Sequence, residues 1–209
     1  MLRRLSAAAL LLALAGCASI LPQPAPVPQL YRLTPAAVAA PAPRRTPVPL
    51  QLLVDVPSAP AAIDTQRLAL SRGPTRLDYF AAAAWTDTAP RMLQSLIVSS
   101  LESAGGIKAV ARDTLELLAD VVLMSDLQHF EAAYQGAGPP TIRIEIACRL
   151  VRMPDRSIVA ARRFTATAPA RANDVPAIVD AFNDAFHQVM RQIEPWTAAS
   201  LGSLARTAR

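Results

Sequence analysis

The clearest pattern in the chain lies between Thr141 and Met153, where Ile142, Ile144, Ile146, Cys148 and Leu150 alternate with Arg143, Glu145, Ala147 and Arg149. A period of two with one apolar face predicts a half-buried strand. Pro154-Asp155 then turns the chain into Ser157 to Thr167, which completes a hairpin. Val121 to Ala132 reads as a strand ahead of it, set apart by Gly136, Gly138, Pro139 and Pro140. Earlier apolar runs are shorter. Leu50 to Val56 is a strand stopped by Pro57 and Pro60; Arg67 to Arg72 is another, ended by Gly73-Pro74; Arg76 to Phe80 is a third. Leu30 to Leu33 offers one more short strand, and Pro35 to Pro49 reads as an Ala/Pro-rich loop.

Two segments switch to the helical period. Thr86, Asp87 and Thr88 offer N-caps, Pro90 suits a first turn, and Ala89, Leu93, Leu96, Ile97, Leu101 and Ala104 share one face up to Gly105-Gly106. From about Asp174 to Ile193, the residues Ile178, Phe182, Ala185, Val189 and Ile193 form a second stripe. Pro195 is expected to stop this helix, Trp196 to fold back onto the core, and the remainder to be a loose tail. The order β-β-β-α-β-β-β-α predicts an α+β domain. Its sheet is expected to be mixed but largely antiparallel, with both long helices packed on one face.

The N-terminus follows a different logic. Arg3-Arg4 precede an apolar run from Leu5 to Ala15, too short to span a bilayer, and Leu14-Ala15-Gly16-Cys17 matches the bacterial lipobox. Small residues there let an extended backbone enter a peptidase cleft, and Cys17 supplies the thiol that takes up lipid. Eleven of the 19 prolines fall within the first sixty residues, and Pro22, Pro24, Pro26 and Pro28 alternate. Such a segment favours polyproline II, so Ala18 to Gln29 spans roughly 37 Å as a stiff spacer. The expected organisation is a signal peptide over 1–16, a lipidated cysteine and tether over 17–29, a folded domain over 30–196 and a tail over 197–209. Ala18, rather than Asp, after the cysteine favours the outer membrane where enteric sorting applies.

Composition then removes function classes. Of the 209 residues 52% are hydrophobic and 18% charged, which suits a globular chain. The formal charge of +5 falls to +3 once Arg3 and Arg4 leave with the signal, and the remaining arginines are scattered, so a nucleic-acid partner is not expected. The exposed-side arginines Arg149, Arg152, Arg162 and Arg163 read either as a solvated face or as a patch for anionic headgroups. Two cysteines and two histidines leave little for a metal site. Cys148 falls on the apolar face of its strand, His187 on a polar helix face, and His129 near a strand end without a neighbouring nucleophile. No hydrolase elbow, zincin motif or phosphate loop occurs, so no catalytic, cofactor or metal residue is expected. Tyr79, Phe80 and Trp85 cluster before the first helix and serve either as core or as a partner interface.

Several pieces together form a family pattern. Ile63-Asp64-Thr65-Gln66-Arg67-Leu68, Leu77-Asp78-Tyr79-Phe80, Trp85-Thr86-Asp87, Asp126-Leu127-Gln128-His129-Phe130-Glu131, the strand pair to Phe164, and Trp196 follow in order between Leu30 and Trp196. The chain resembles the ABC-type transport auxiliary lipoprotein family, the PqiC-like (paraquat-inducible lipoprotein C) group. The resemblance implies a periplasm-facing, non-enzymatic lipoprotein anchored in the outer membrane. It implies partnership with an ABC transporter and a mammalian-cell-entry (MCE) domain protein in intermembrane lipid transport. It also admits ring-like homo-oligomers, and it carries over Cys17 alone as a functional residue. The alternative is a general envelope-assembly lipoprotein unconnected with lipid transport.

Overall fold

The computed structural model of the chain describes residues 27–36, 47–112, 118–153 and 155–207. The signal segment, Cys17, the spacer up to residue 26 and the middle of the second Ala/Pro stretch lie outside the described residues. In chain order these form β1 (Gln29–Tyr31), β2 (Val48–Val54), β3 (Arg67–Arg72), β4 (Leu77–Trp85), α1 (Ala89–Ala104), β5 (Ile107–Arg112), β6 (Val121–Tyr134), β7 (Thr141–Arg152), β8 (Ser157–Pro169) and α2 (Val175–Thr207). The class is α+β with a mixed sheet, as the patterning predicts. β1 overlaps the short strand expected over Leu30 to Leu33, and β5 alone is additional, because in Ile107-Lys108-Ala109-Val110-Ala111 the two β-branched residues form no alternation. A parallel register on β2, from Val48↔Ile107 to Val54↔Arg112, holds it in place.

β6 organises the sheet. On one side β7 pairs with it antiparallel from Val121↔Arg152 to Ala133↔Thr141, and β8 continues the meander. On the other side two different strands share it, both parallel. β2 lies against its start (Leu53↔Val122) and β3 against its end (Ser71↔Ala133). The sheet therefore divides into two wings, β2-β5 and β3-β4-β1. A bulge allows one long strand to serve both. The register steps from Leu127↔Ile146 to His129↔Glu145, so Gln128 is the extra residue. The step reverses side-chain parity, and Leu123, Leu127 and Phe130 all reach the core although their spacing is four and then three.

Both helices cover the inner face. Leu93 and Ile97 of α1 and Phe186, Val189, Met190 and Ile193 of α2 close around Ile144 and Ile146 of β7. The predicted stripes are the buried ones, except that Ala104 is exposed at the end of its helix. Gly105 ends α1 at φ 66, where its N–H donates to the Glu102 carbonyl. Asp174 caps α2 by accepting from the Ala177 N–H at 2.9 Å.

Pro195 does not stop α2. The helix runs on to Thr207, so the tail expected after Trp196 is helical up to that residue. An interior proline costs about 3 kcal/mol through its missing N–H and its clash with the carbonyl four residues back. Burial beyond it offsets that cost. Thr197 and Leu201 are fully buried, and Trp196 packs edge-on against Phe164 with 5.3 Å between ring centroids, which is the expected fold-back.

Candidate functional site

The structure separates the three clustered aromatics. Trp85 is 0% exposed, and its ring lies 5.6 Å from Phe130 and 5.2 Å from Phe182, the latter edge-on. The reading of Trp85 as a partner contact is therefore corrected to core: register places it opposite Tyr31 on the wing's inner side, under α2. Phe80 is half-buried and packs onto the core from the side. Tyr79 is half-buried at the surface, donates its hydroxyl to the Ala62 carbonyl at 3.1 Å, and carries Arg67 over its ring at 3.7 Å.

Tyr79 belongs to an open cleft of about 610 Å³ on the β3–β4 hairpin, lined also by Arg67, Arg72, Arg76, Leu77 and Asp78. Gly73 turns the hairpin at φ 82, a region costly for any side chain, and Arg72 N–H closes onto the Arg76 carbonyl at 3.0 Å. Arg72 and Arg76 flank the turn, while Arg67 lies at the far end of β3, opposite Ala84. Each guanidinium is held differently. Arg67 lies over Tyr79, Arg72 lies 4.8 Å over the Tyr134 ring, and Arg76 donates to Asp78 at 2.8 Å. Tyr134 is itself fixed by donating to Asn173 at 2.6 Å. Burial pushes its hydroxyl pKa up, partly opposed by the Arg72 charge.

Arg76 and Leu77 also border a second cleft of about 490 Å³, where His129, Glu131, Tyr134 and Arg143 meet. The bulge at Gln128 sets His129 opposite Glu145 and Glu131 opposite Arg143. His129 Nδ1 lies 3.0 Å from Glu131, Arg143 donates to Glu145 at 2.8 Å, and Arg163 reaches the other Glu145 oxygen at 3.3 Å. Glu131 and Glu145 are only 7% and 8% exposed, so these partners are what makes carboxylates tolerable there. Among the described residues, no hydroxyl or thiol hydrogen-bonds to His129, and no cluster of metal-ligating side chains occurs. The arrangement balances charge; it does not present a nucleophile and its base.

The remaining residues are placed as follows. Cys148 is buried on β7, and burial pushes its thiol pKa up to about 12. His187 is half-buried rather than solvated, and its Nε2–H donates to the Thr34 carbonyl at 3.1 Å. The four arginines of β7 and β8 do not make one patch. Arg152 pairs with Asp155 and Arg163 with Glu145, while Arg162 shares the parity of Phe164 and stacks on that ring. Sequence reading missed Arg67, Arg72, Arg76 and Tyr134 as a group. Three arginines spaced across a Gly-Pro turn were the available signal.

Comparison with known proteins places this geometry. A family model described as the ABC-type transport auxiliary lipoprotein component matches residues 31–194. A crystal structure of a Xanthomonas campestris protein of the DUF330 family is similar at a TM-score of 0.71 and 31% identity, covering 86% of this chain and 97% of that one. A hypothetical protein from Chlamydia trachomatis shares the fold alone, at a TM-score of 0.53 and 9% identity over 74% of this chain and 99% of that one. An uncharacterised Bradyrhizobium diazoefficiens protein is 25% identical over 150 residues, 72% of this chain. The chain spans only 40% of that relative's length.

Proposed function

The chain belongs to the ABC-type transport auxiliary lipoprotein family, and from that premise we propose that it is a non-enzymatic envelope component of an MCE-type intermembrane lipid transport system. The observation that carries the reading is the lipobox ending at Cys17, joined through a proline-rich spacer to a domain of this family. Lipid on Cys17 holds the chain at the outer membrane, facing the periplasm. One acyl chain binds a bilayer only marginally and two or three hold it stably, at about 0.8 kcal/mol per buried CH₂. The spacer then sets how far the domain stands from the bilayer, and the domain docks the transport conduit. Its partners are the MCE-domain protein and the ABC transporter components, with self-association into a ring as one way to surround a conduit.

The experiment is affinity purification of the full tagged chain from native envelopes after mild crosslinking, beside a Cys17→Ala chain. MCE and permease components are expected with the wild type, and Cys17→Ala is expected to leave the outer-membrane fraction. A folded, membrane-located wild-type chain that captures neither component overturns the transport role. Loss of that chain disturbing wall or porin assembly, with lipid asymmetry intact, would favour the envelope-assembly alternative.

A further inference from the structure

We infer that the open edge of β8 is a docking site for an extended, acidic segment of a protein partner, which adds to the sheet as a further strand. The sheet ends on β1, β5 and β8, and β8 pairs with β7 alone. β1 has 3 residues and β5 has 6, whereas β8 has 13. The ladder fixes which backbone groups of β8 face outward. The Ala170 N–H donates to the Pro140 carbonyl at 2.9 Å, and the register continues this pairing from Thr141↔Pro169 to Leu150↔Ala160. Hydrogen-bonded and non-hydrogen-bonded pairs alternate in an antiparallel ladder. The even-numbered residues from Ala160 to Ala168 therefore bond to β7, and the odd-numbered ones turn their N–H and C=O to the free side. Two observations agree. Gln192 of α2 reaches the Thr165 carbonyl at 3.2 Å, and Pro169, which has no N–H to give, falls on an odd position. Ala161, Arg163, Thr165 and Thr167 are all exposed, and they present their N–H groups along about 20 Å of strand.

Charge selects the occupant. β8 carries Arg162 and Arg163, β5 carries Lys108 and Arg112, and neither they nor β1 contains a carboxylate. Pairing between two copies at these edges sets like charges together and gains no ion pair. An acidic strand meets the opposite situation. Arg163 lies 3.3 Å from Glu145, but among the described residues no carboxylate pairs with Arg162. None pairs with Arg149 either, which lies opposite Ala161 and so shares the face of Arg163. Arg162 and Arg163 point to opposite faces of the sheet, so neighbouring carboxylates on an added strand each meet one cation. Main-chain bonds then supply affinity, and the arginines supply selection. The site does not depend on the transport role proposed above, and failure to capture transport components would leave it standing.

The test is amide hydrogen exchange, read by NMR, on the full chain held in maltoside detergent. The probes are a capped octapeptide of the repeat threonine-glutamate-glutamate-valine and the same peptide with lysine for glutamate. The acidic peptide is expected to slow exchange saturably at Ala161, Arg163, Thr165 and Thr167, by about tenfold, and the lysine peptide to leave it unchanged. Thr165→Pro removes an outward N–H and spares the bonds to β7, so protection is expected to vanish with little change in thermal midpoint. Arg162→Glu is expected to weaken binding of the acidic peptide about fivefold, and it decides the matter should the proline variant unfold. No protection with the acidic peptide, equal protection by the lysine peptide, or unaltered binding in the folded variants overturns the proposal. Protection of the same amides that grows with protein concentration, without peptide, assigns the edge to a second copy and also overturns it.

Discussion

Replacing Trp85 by alanine tests whether the aromatic junction is core. Trp85 is fully buried against Phe130 and Phe182. A buried tryptophan removes roughly 150–250 Å² from water. At about 25 cal/mol per Å² the side chain contributes about 4–6 kcal/mol. That reckoning is an upper bound, because the unfolded chain already covers part of its apolar surface. An expected loss of about 4 kcal/mol follows, in line with truncations of buried aromatics. With a urea dependence of about 2 kcal/mol per M, the unfolding midpoint should fall by about 2 M. Trp85→Phe keeps one ring and removes an Nε1–H that has no acceptor among the described residues, so it should cost less than half as much. Tyr79→Ala is the surface control. It loses one hydrogen bond and one exposed cation–π contact, about 1–1.5 kcal/mol together. Circular dichroism in urea reads all three. Midpoints for Trp85→Ala and Tyr79→Ala that coincide would refute the assignment of Trp85 to the core.

Two further outcomes are expected. Gly105→Ala should lower stability by about 1 kcal/mol, because a Cβ there meets open space and only the left-handed backbone at φ 66 resists it; a thermal midpoint equal to wild type would contradict that conformation. Burial raises the Glu194 pKa above its usual value of 4.5, so the folded chain binds the proton more tightly and stability falls as pH rises above that value. Glu194→Gln should therefore raise the thermal midpoint at pH 7, with the advantage gone below pH 4.5. An advantage that persists there, or none at pH 7, goes against it.

Local patterns were legible where one residue's neighbours along the chain decide its fate. The alternation in β7 and the stripes of α1 and α2 are read directly from spacing, because each element buries one face. Non-local pairing was not legible. Nothing in Lys108-Ala109-Val110 announces β5, which exists because β2 offers an edge. The bulge at Gln128 hides Phe130 from any simple alternation. Pro195 was misjudged because proline's cost is local, whereas the burial of Thr197 and Leu201 that offsets it is tertiary. The same reason separates the candidate sites. Tyr79 was visible as an aromatic. The cleft lined by Arg67, Arg72 and Arg76 was not, because the pairing of β3 with β4 decides which side chains border it.

The path of the chain after β1 bears on how an anchored domain would be oriented. This segment is not a loose leader. The Thr86 N–H donates to the Tyr31 carbonyl at 2.9 Å, and Leu33 and Ala36 are buried. The Thr34 N–H donates to Asn183 at 2.8 Å, its carbonyl accepts from His187, and the Ala36 N–H donates to Ser100 at 3.2 Å. The segment is thus sewn to β4, α2 and α1 in turn. A pull from the N-terminal side loads β1 and the edge of β4 before it reaches any flexible joint in residues 27–36. Since β1 and β4 are parallel, that load lies along the axis on which the hairpin sits. A load applied at Val27 therefore enters the domain through β1, along the direction of β4, and passes into both helices through residues 34–36.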